Sequence, residues 1–265
     1  MIRGDNLRAL LCAAVLATPG ACLAAETLRV CADPANLPFT NRAEEGFSNR
    51  IAERLAAELG RDLVYHWREL GVGFLRQTLQ AGKCDVVLDY AAEDWRVLNT
   101  VPYYRSSFVM AVRKDGDLGA VTSLDDPKLI GRRIGVVAGA PPAAHLARLG
   151  LIGDARPYRL TVDRRFESPA TAMLADLTRG EIDAAILWGP LAGPEISRDA
   201  DLVAKMLDDK GLPPPLTYDM TLAVRQEDEA LQTALEAALE AARSDIEAIL
   251  GDASVPLRPL EPAVR

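Results

Sequence analysis

Between Leu28 and Tyr90 the apolar pattern alternates between the period of a strand and the period of a helix. Leu28-Arg29-Val30-Cys31-Ala32 is a short apolar run, and Ile51, Leu55, Ala56 and Leu59 then recur at helical spacing. Asp62 to Trp67 alternates as a strand, with Leu63, Tyr65 and Trp67 on one face. Phe74 to Leu79 predicts a short helix closed by Gly82. Asp85 to Tyr90 is a near-continuous apolar run of the kind buried parallel strands show, flanked by Asp85 and Asp89. Strand, helix, strand, helix, strand in so short a stretch predicts right-handed βαβ units on a parallel sheet. The loop from Ala32 to Gly46, punctuated by Pro34 and Pro38, exceeds the roughly 2–6 residues usual in such units and needs a functional reason. Ligands in open α/β sheets sit beyond the carboxyl ends of the strands, where this loop begins.

The plan restarts after Leu124-Asp125-Asp126-Pro127. Arg133 to Val137 reads as a strand, Gly139 to Pro142 as a turn and Ala143 to Leu149 as a helix. Leu160 to Val162 reads as a strand and Pro169 to Arg179 as a helix with proline at a tolerated first-turn position. Ile182 to Leu187 reads as a buried strand leading into Trp188. Phe108 to Val112 and Met220 to Val224 are further strands. Glu227 to Leu250 predicts one long helix stopped by Gly251, ahead of a Pro-rich tail. The expected fold class is α/β, with two α/β lobes around a cleft.

The chain has 265 residues and is 49% hydrophobic, enough for one large domain or two lobes. Its net charge of −8 and the lack of any Lys/Arg block argue against nucleic-acid partners. Arg3, Arg8, the apolar run Ala9 to Ala17 and the Pro19-Gly20 break predict a Sec-type signal peptide over residues 1–25, cleaved near Ala24 or Ala25. A lipoprotein reading would use Cys22 instead. No later stretch reaches the roughly 20 apolar residues of a membrane span, so the mature protein is expected in the periplasm without a transmembrane segment. Cys31 and Cys84 remain as an even pair in an oxidising compartment and predict a disulfide. The other reading is two buried thiols, since Cys31 follows its strand's apolar residues, Cys84 precedes its own, and pairing them requires a stagger. His66 and His145 stand alone, and no CxxC or His/Cys cluster supports a metal site. No Gly-x-Ser-x-Gly, His-Glu-x-x-His or P-loop appears, so no enzyme activity is expected.

The order of elements resembles the type 2 periplasmic solute-binding proteins, bacterial solute-binding protein family 3. The echoes include Gly46-Phe47 before a helix, Arg96, Pro102-Tyr103 and Gly180-Glu181-Ile182-Asp183-Ala184. A narrower resemblance is to the quinoprotein-dehydrogenase-associated branch, the J-type accessory proteins encoded beside methanol dehydrogenases. Cys31-Ala32-Asp33-Pro34-Ala35-Asn36-Leu37-Pro38-Phe39 carries it, with Gly46-Phe47-Ser48-Asn49, Gly73-Phe74-Leu75-Arg76, Gly82 to Val87 and Pro102-Tyr103-Tyr104-Arg105-Ser106-Ser107. Together these echoes cover about Thr27 to Leu250. The resemblance implies a two-strand hinge near Met110 to Val112 and Leu222 to Val224. Residues 26–109 and 225–265 would then form one lobe, and 110–224 the other. It also implies a non-catalytic periplasmic accessory protein for a PQQ-dependent methanol or alcohol dehydrogenase. That enzyme, a segment of it, or transiently its PQQ would be bound, with no cofactor held covalently and the enzyme's cytochrome c as a further partner. The rival expectation is a solute receptor of an ABC importer with a small non-amino-acid ligand.

In the amino acid binders of the family, an Arg clamps the α-carboxylate, helped by Ser/Thr and N–H groups at a helix start, and an Asp pairs the ammonium. Arg96 stands where that arginine would, or else forms an ion pair with Glu93 or Asp94. Gly139-Ala140-Pro141-Pro142 supplies no hydroxyl, and two prolines remove N–H donors. The Asp position holds Trp188. An ammonium without a carboxylate in a closed cleft would cost several kcal/mol, so an amino acid ligand is not expected. The resemblance instead implies a wide apolar cleft formed by Pro38, Phe39, Tyr90, Tyr104, Gly139, Ala140, Pro141 and Trp188 together with Arg96. The plainer alternative for Trp188 is packing between lobes.

Overall fold

The computed structural model of the protein describes residues 26–92, 94–208 and 210–260. The expected signal peptide, Glu93, Asp209 and residues 261–265 lie outside the described residues. The chain opens with β1 (Thr27–Ala32), a small hairpin of β2 (Ala35–Asn36) and β3 (Thr40–Asn41), and α1 (Phe47–Leu59). β4 (Asp62–Trp67), α2 (Phe74–Gln77) and β5 (Val86–Ala91) follow, and β1 lies between β4 and β5, parallel to both. After β6 (Leu98–Asn99) comes the long β7 (Tyr104–Arg113). The middle of the chain forms β8 (Ile134–Val137), α3 (Pro141–Arg148), β9 (Arg156–Tyr158) and α4 (Pro169–Thr178). It continues through β10 (Ala184–Trp188), α5 (Gly189–Ile196) and β11 (Leu202–Met206). β12 (Thr217–Val224), α6 (Glu229–Ala241) and α7 (Arg243–Asp252) complete it.

The strands run in the order β4-β1-β5-β12-β7-β10-β8-β9, with β6 beside β12 and β11 beside β7. Two strands join the halves. Tyr104 to Ser107 of β7 pairs with β12, whereas Phe108 to Arg113 pairs with β10 and β11. β12 in turn passes from β7 at Thr217 to β5 at Ala223. On one side of this crossing Leu28, Ile51, Leu55, Val86, Leu222 and Leu235 bury a core under α1, α6 and α7. On the other, Met110, Leu129, Ile134 and Ile186 bury one face of the β7-β10-β8 part of the sheet and Met173, Leu177 and Leu187 the other. Coverage on both faces is what parallel strands require.

Three expectations are corrected. The single helix over Glu227 to Leu250 is two helices, turning at the fully buried Ala242, and Gly251 lies within α7 instead of ending it. α1 has 13 residues and packs against both. At about 1.5 Å per residue a straight helix of that length would overrun α1, so the turn keeps Leu239 and Ile246 on one core. Leu160 to Val162 is loop, because β9 ends at Tyr158 as an edge strand containing Pro157, and the chain beyond it is drawn across to Asp33. α3 starts at Pro141, so both prolines occupy its first turn.

The tail after α7 lies over the crossing strands. The Ser106 hydroxyl donates to the Pro256 carbonyl at 2.6 Å, and the Arg258 N–H donates to the Arg105 carbonyl at 2.9 Å. A Cβ on Gly193 of α5 would meet the Ser254 carbonyl oxygen at 2.2 Å, so this close approach requires glycine.

Cys31 and Cys84 form a disulfide with a Cα–Cα distance of 5.4 Å. The register sets Cys31 opposite Val87, so Cys84 lies ahead of β5, with the stagger that the sequence demanded. Closing a loop across a separation of 53 residues removes unfolded-state entropy equivalent to about 4 kcal/mol. Replacing both cysteines with serine is expected to lower Tm by about 10 °C, measured by thermal melts of the two proteins side by side.

Candidate functional site

The long loop after β1 is held by its own first acidic residue. Asp33 is buried; its Oδ1 accepts the Ala35 N–H at 2.8 Å, and its Oδ2 accepts the Leu70 N–H at 2.8 Å and Arg164 Nη1 at 3.3 Å. The loop then closes onto the start of α1. The Phe47 and Ser48 N–H groups donate to the carbonyls of Pro38 and Phe39 at 2.9 and 3.0 Å. Asn49 Oδ1 accepts the N–H groups of Asn41 and Gly46, both at 3.2 Å. A Cβ on Gly46 would lie 1.9 Å from the Phe39 carbonyl oxygen, so only glycine permits the contact. The Gly46, Phe47 and Ser48 N–H groups, among those a helix start usually offers to an anion, are thus occupied within the chain.

Two adjoining cavities of about 870 and 800 Å³ open beyond this loop. They share Asp89, Tyr90, Phe108, Trp188 and Met220 as a common wall. The first adds Trp95, Arg96, Pro141 and Tyr218, and the second adds Phe39, Ala140 and Arg164 among others. Trp188 stands edge-to-face with Phe108 at 5.3 Å and with Tyr218 at 5.7 Å, so it both packs and lines the cleft. Of the residues expected in the cleft, Tyr90 and Trp188 line both cavities, Arg96 and Pro141 the first, and Phe39 and Ala140 the second. Pro38 and Gly139 are chain neighbours of lining residues. Tyr104 is buried in the first core and reaches the common wall through its hydroxyl.

The cations of the cleft are paired within the chain. Arg96 binds Asp94 through Nε at 2.8 Å and Nη2 at 2.5 Å, whereas the other expected partner, Glu93, lies outside the described residues. The Tyr90 hydroxyl donates to the same carboxylate at 2.5 Å. The Arg96 guanidinium holds the Asp94 carboxyl well below the usual carboxylate range, with the Tyr90 hydroxyl adding to the effect. In the second cavity Arg164 reaches Asp33, Arg165 reaches Asp163 at 2.6 Å, and Arg159 approaches Glu167 at 3.9 Å. At α3 the two prolines carry no N–H, and the Ala143 N–H is held by the Ala140 carbonyl at 2.9 Å. No preformed carboxylate clamp survives among these groups.

Asp89, in the common wall, is held differently, and Asp85 at the other end of the strand is paired with Arg29 and Arg225. Asp89 Oδ1 accepts the hydroxyls of Tyr103 at 2.8 Å and Tyr104 at 2.9 Å, and its Oδ2 accepts that of Ser48. Among the described residues no arginine or lysine pairs with it. It also adopts φ +53°, in the left-handed region that few non-glycine residues occupy. Burial pushes its carboxyl above the usual range, and the three hydroxyls pull it part of the way back. An acidic residue ending an apolar run, with a Tyr-Tyr pair downstream, was the only local signal.

Because the folded-state value lies above the unfolded one, this carboxyl favours folding while protonated and loses that contribution as pH rises through the folded value. Asp89→Asn keeps the left-handed backbone accessible and removes the enclosed charge. It is expected to raise Tm at neutral pH, an advantage that shrinks as pH falls and vanishes below about pH 3, where aspartate is protonated in both states; melts of the two proteins across this pH range check it.

Residues 28–250 match the family described as bacterial extracellular solute-binding proteins, family 3. Protein MoxJ of Methylorubrum extorquens (strain AM1) is 32% identical over 253 residues, spanning 89% of this chain and 83% of that protein. The crystal structure of periplasmic binding protein XoxJ from Methylobacterium extorquens AM1 is 36% identical, with a TM-score of 0.74 over 88% of this chain and 100% of its own. The crystal structure of MxaJ from Methlophaga aminisulfidivorans MPT shares the fold, at 24% identity and a TM-score of 0.78 over 88% of this chain and 100% of its own. The chain belongs to the bacterial extracellular solute-binding proteins, family 3, and has the type 2 periplasmic-binding-protein fold.

Proposed function

We propose that the protein is a non-catalytic periplasmic accessory factor for a PQQ-dependent methanol or alcohol dehydrogenase, and that its cleft receives a segment of that enzyme. One observation carries the reading: Arg96, in the position of a solute clamp, is already neutralised by Asp94, beside a helix start stripped of N–H donors. A receptor that clamps a solute carboxylate needs those groups free. The likeness to MoxJ and to the periplasmic binding protein XoxJ supports the dehydrogenase system and the compartment. The lobes would comprise residues 26–109 with 225–265, and 110–224, the chain passing between them along β7 and β12. Residues 1–25 would be removed on export. PQQ itself is a planar tricarboxylate, and Arg96, Arg159, Arg164 and Arg165 each face a carboxylate of their own chain. These residues do not fit it, which favours a polypeptide occupant.

Binding can alter the client only through different affinities for two of its states. A strain lacking the protein is expected to keep the dehydrogenase polypeptide but lose its activity, assayed in periplasmic extract beside an immunoblot; full activity would sink the proposal. Calorimetry against amino acids, polyamines, PQQ and small alcohols separates it from the importer reading, which the two cavities would also accommodate. No tight binding is expected, and tight binding of one of these solutes, lost in Arg96→Ala, would favour the importer.

A further inference from the structure

We propose that the common wall of the two cavities is a subsite for an alkylammonium group, with Asp89 as counter-ion and the rings of Phe108, Trp188 and Tyr218 as its apolar surround. The subsite does not depend on the dehydrogenase reading. Three observations converge on it. Asp94 and Asp33, which line one cavity each, hold Arg96 and Arg164, whereas Asp89, which lines both, receives only hydroxyls among the described residues. The fold does not require an acid there: the Oδ1 of an asparagine would accept the two tyrosine hydroxyls while its amide N–H donated to the Ser48 hydroxyl oxygen, and glycine would adopt the same backbone freely. A residue that combines an enclosed charge with a left-handed backbone, in a cavity wall, is where function overrides local preference. Finally, the edge-to-face contacts of Trp188 with Phe108 and Tyr218 cluster three rings in the lining of the first cavity, which Asp89 also lines, and aromatic linings of this kind hold organic cations.

The same geometry selects the class of cation. A guanidinium prefers both carboxylate oxygens side by side, but here Oδ1 takes two tyrosines and Oδ2 takes Ser48. Calcium needs six or more oxygen ligands, and ring carbons supply none. An alkylammonium needs one carboxylate edge and apolar walls for its carbons. An α-amino acid is still refused, because its carboxylate meets a neutralised Arg96 and a proline-blocked helix start. The carboxylate missing at Trp188 is therefore provided from β5, for an amine that lacks an acid group.

The ammonium could come from a free amine or from a lysine side chain of a polypeptide. Calorimetry on the full mature chain would use n-butylammonium chloride, tetramethylammonium chloride and the capped peptide acetyl-Ala-Lys-Ala-amide, against sodium chloride at equal ionic strength. Saturable millimolar binding of n-butylammonium is expected, weakened about tenfold or more in Asp89→Asn, whose thermal melt shows that it is folded. Trp188→Leu should weaken tetramethylammonium as well. A peptide that binds more tightly than the free amine identifies lysine as the source, and one that fails to compete identifies the free amine. Absence of binding by every probe, or equal binding by Asp89→Asn, overturns the proposal.

Discussion

A charge shut into a cleft is costly unless something pairs it, and the walls of this cleft pair nearly all of theirs within one chain. Arg96 holds Asp94, Arg164 holds Asp33, and Arg165 holds Asp163. The two helix starts beside the cleft are closed as well, α1 by the carbonyls of Pro38 and Phe39 and α3 by Pro141 and Pro142. Groups with which a cleft could grip a small polar solute are thus taken up within the chain. What remains is an aromatic floor, two adjoining cavities and, in their common wall, the carboxylate of Asp89.

These pairs also shape the fold around the cleft. The Asp33–Arg164 contact joins residues 131 positions apart, linking the loop after β1 to the loop after β9. Its position explains why the chain leaves the sheet at Tyr158 and does not continue as a strand. The strands β7 and β12 carry the backbone between the two cores, and the tail through Arg258 is bonded to β7 and to the Leu207 carbonyl. Phe108, Trp188 and Tyr218 project from β7, β10 and β12, so the aromatic floor is fixed to the strands that cross.

Local pattern was sufficient where burial is itself local. β1, α1, β4 and β5 were legible because apolar runs and helical spacing encode which face meets the core. α5 was hidden: Gly189-Pro190 and Gly193-Pro194 read as breakers, yet Pro190 occupies the tolerant first turn and the helix is buried against its neighbours. The turn at Ala242 was equally invisible, since alanine gives no stop signal and only the length of α1 demands it. Trp188, Tyr90, Arg96 and Pro141, which the resemblance places in the cleft, do line its cavities. Asp94 and Asp89 differ only in what folding brings to them, an arginine two residues away for one and three hydroxyls from distant elements for the other.

The central claim is that a polypeptide of the dehydrogenase enters this cleft, and site-specific photo-crosslinking in growing cells addresses it directly. Trp95 lines the first cavity and is 82% exposed, so Trp95→p-benzoylphenylalanine places a reactive ketone at its mouth. Ile152, 44% exposed and outside both cavities, provides the control position. The account predicts an adduct with the dehydrogenase chain from position 95 and none from 152. An adduct with a membrane transporter subunit from position 95, or equal dehydrogenase capture from both positions, would contradict it.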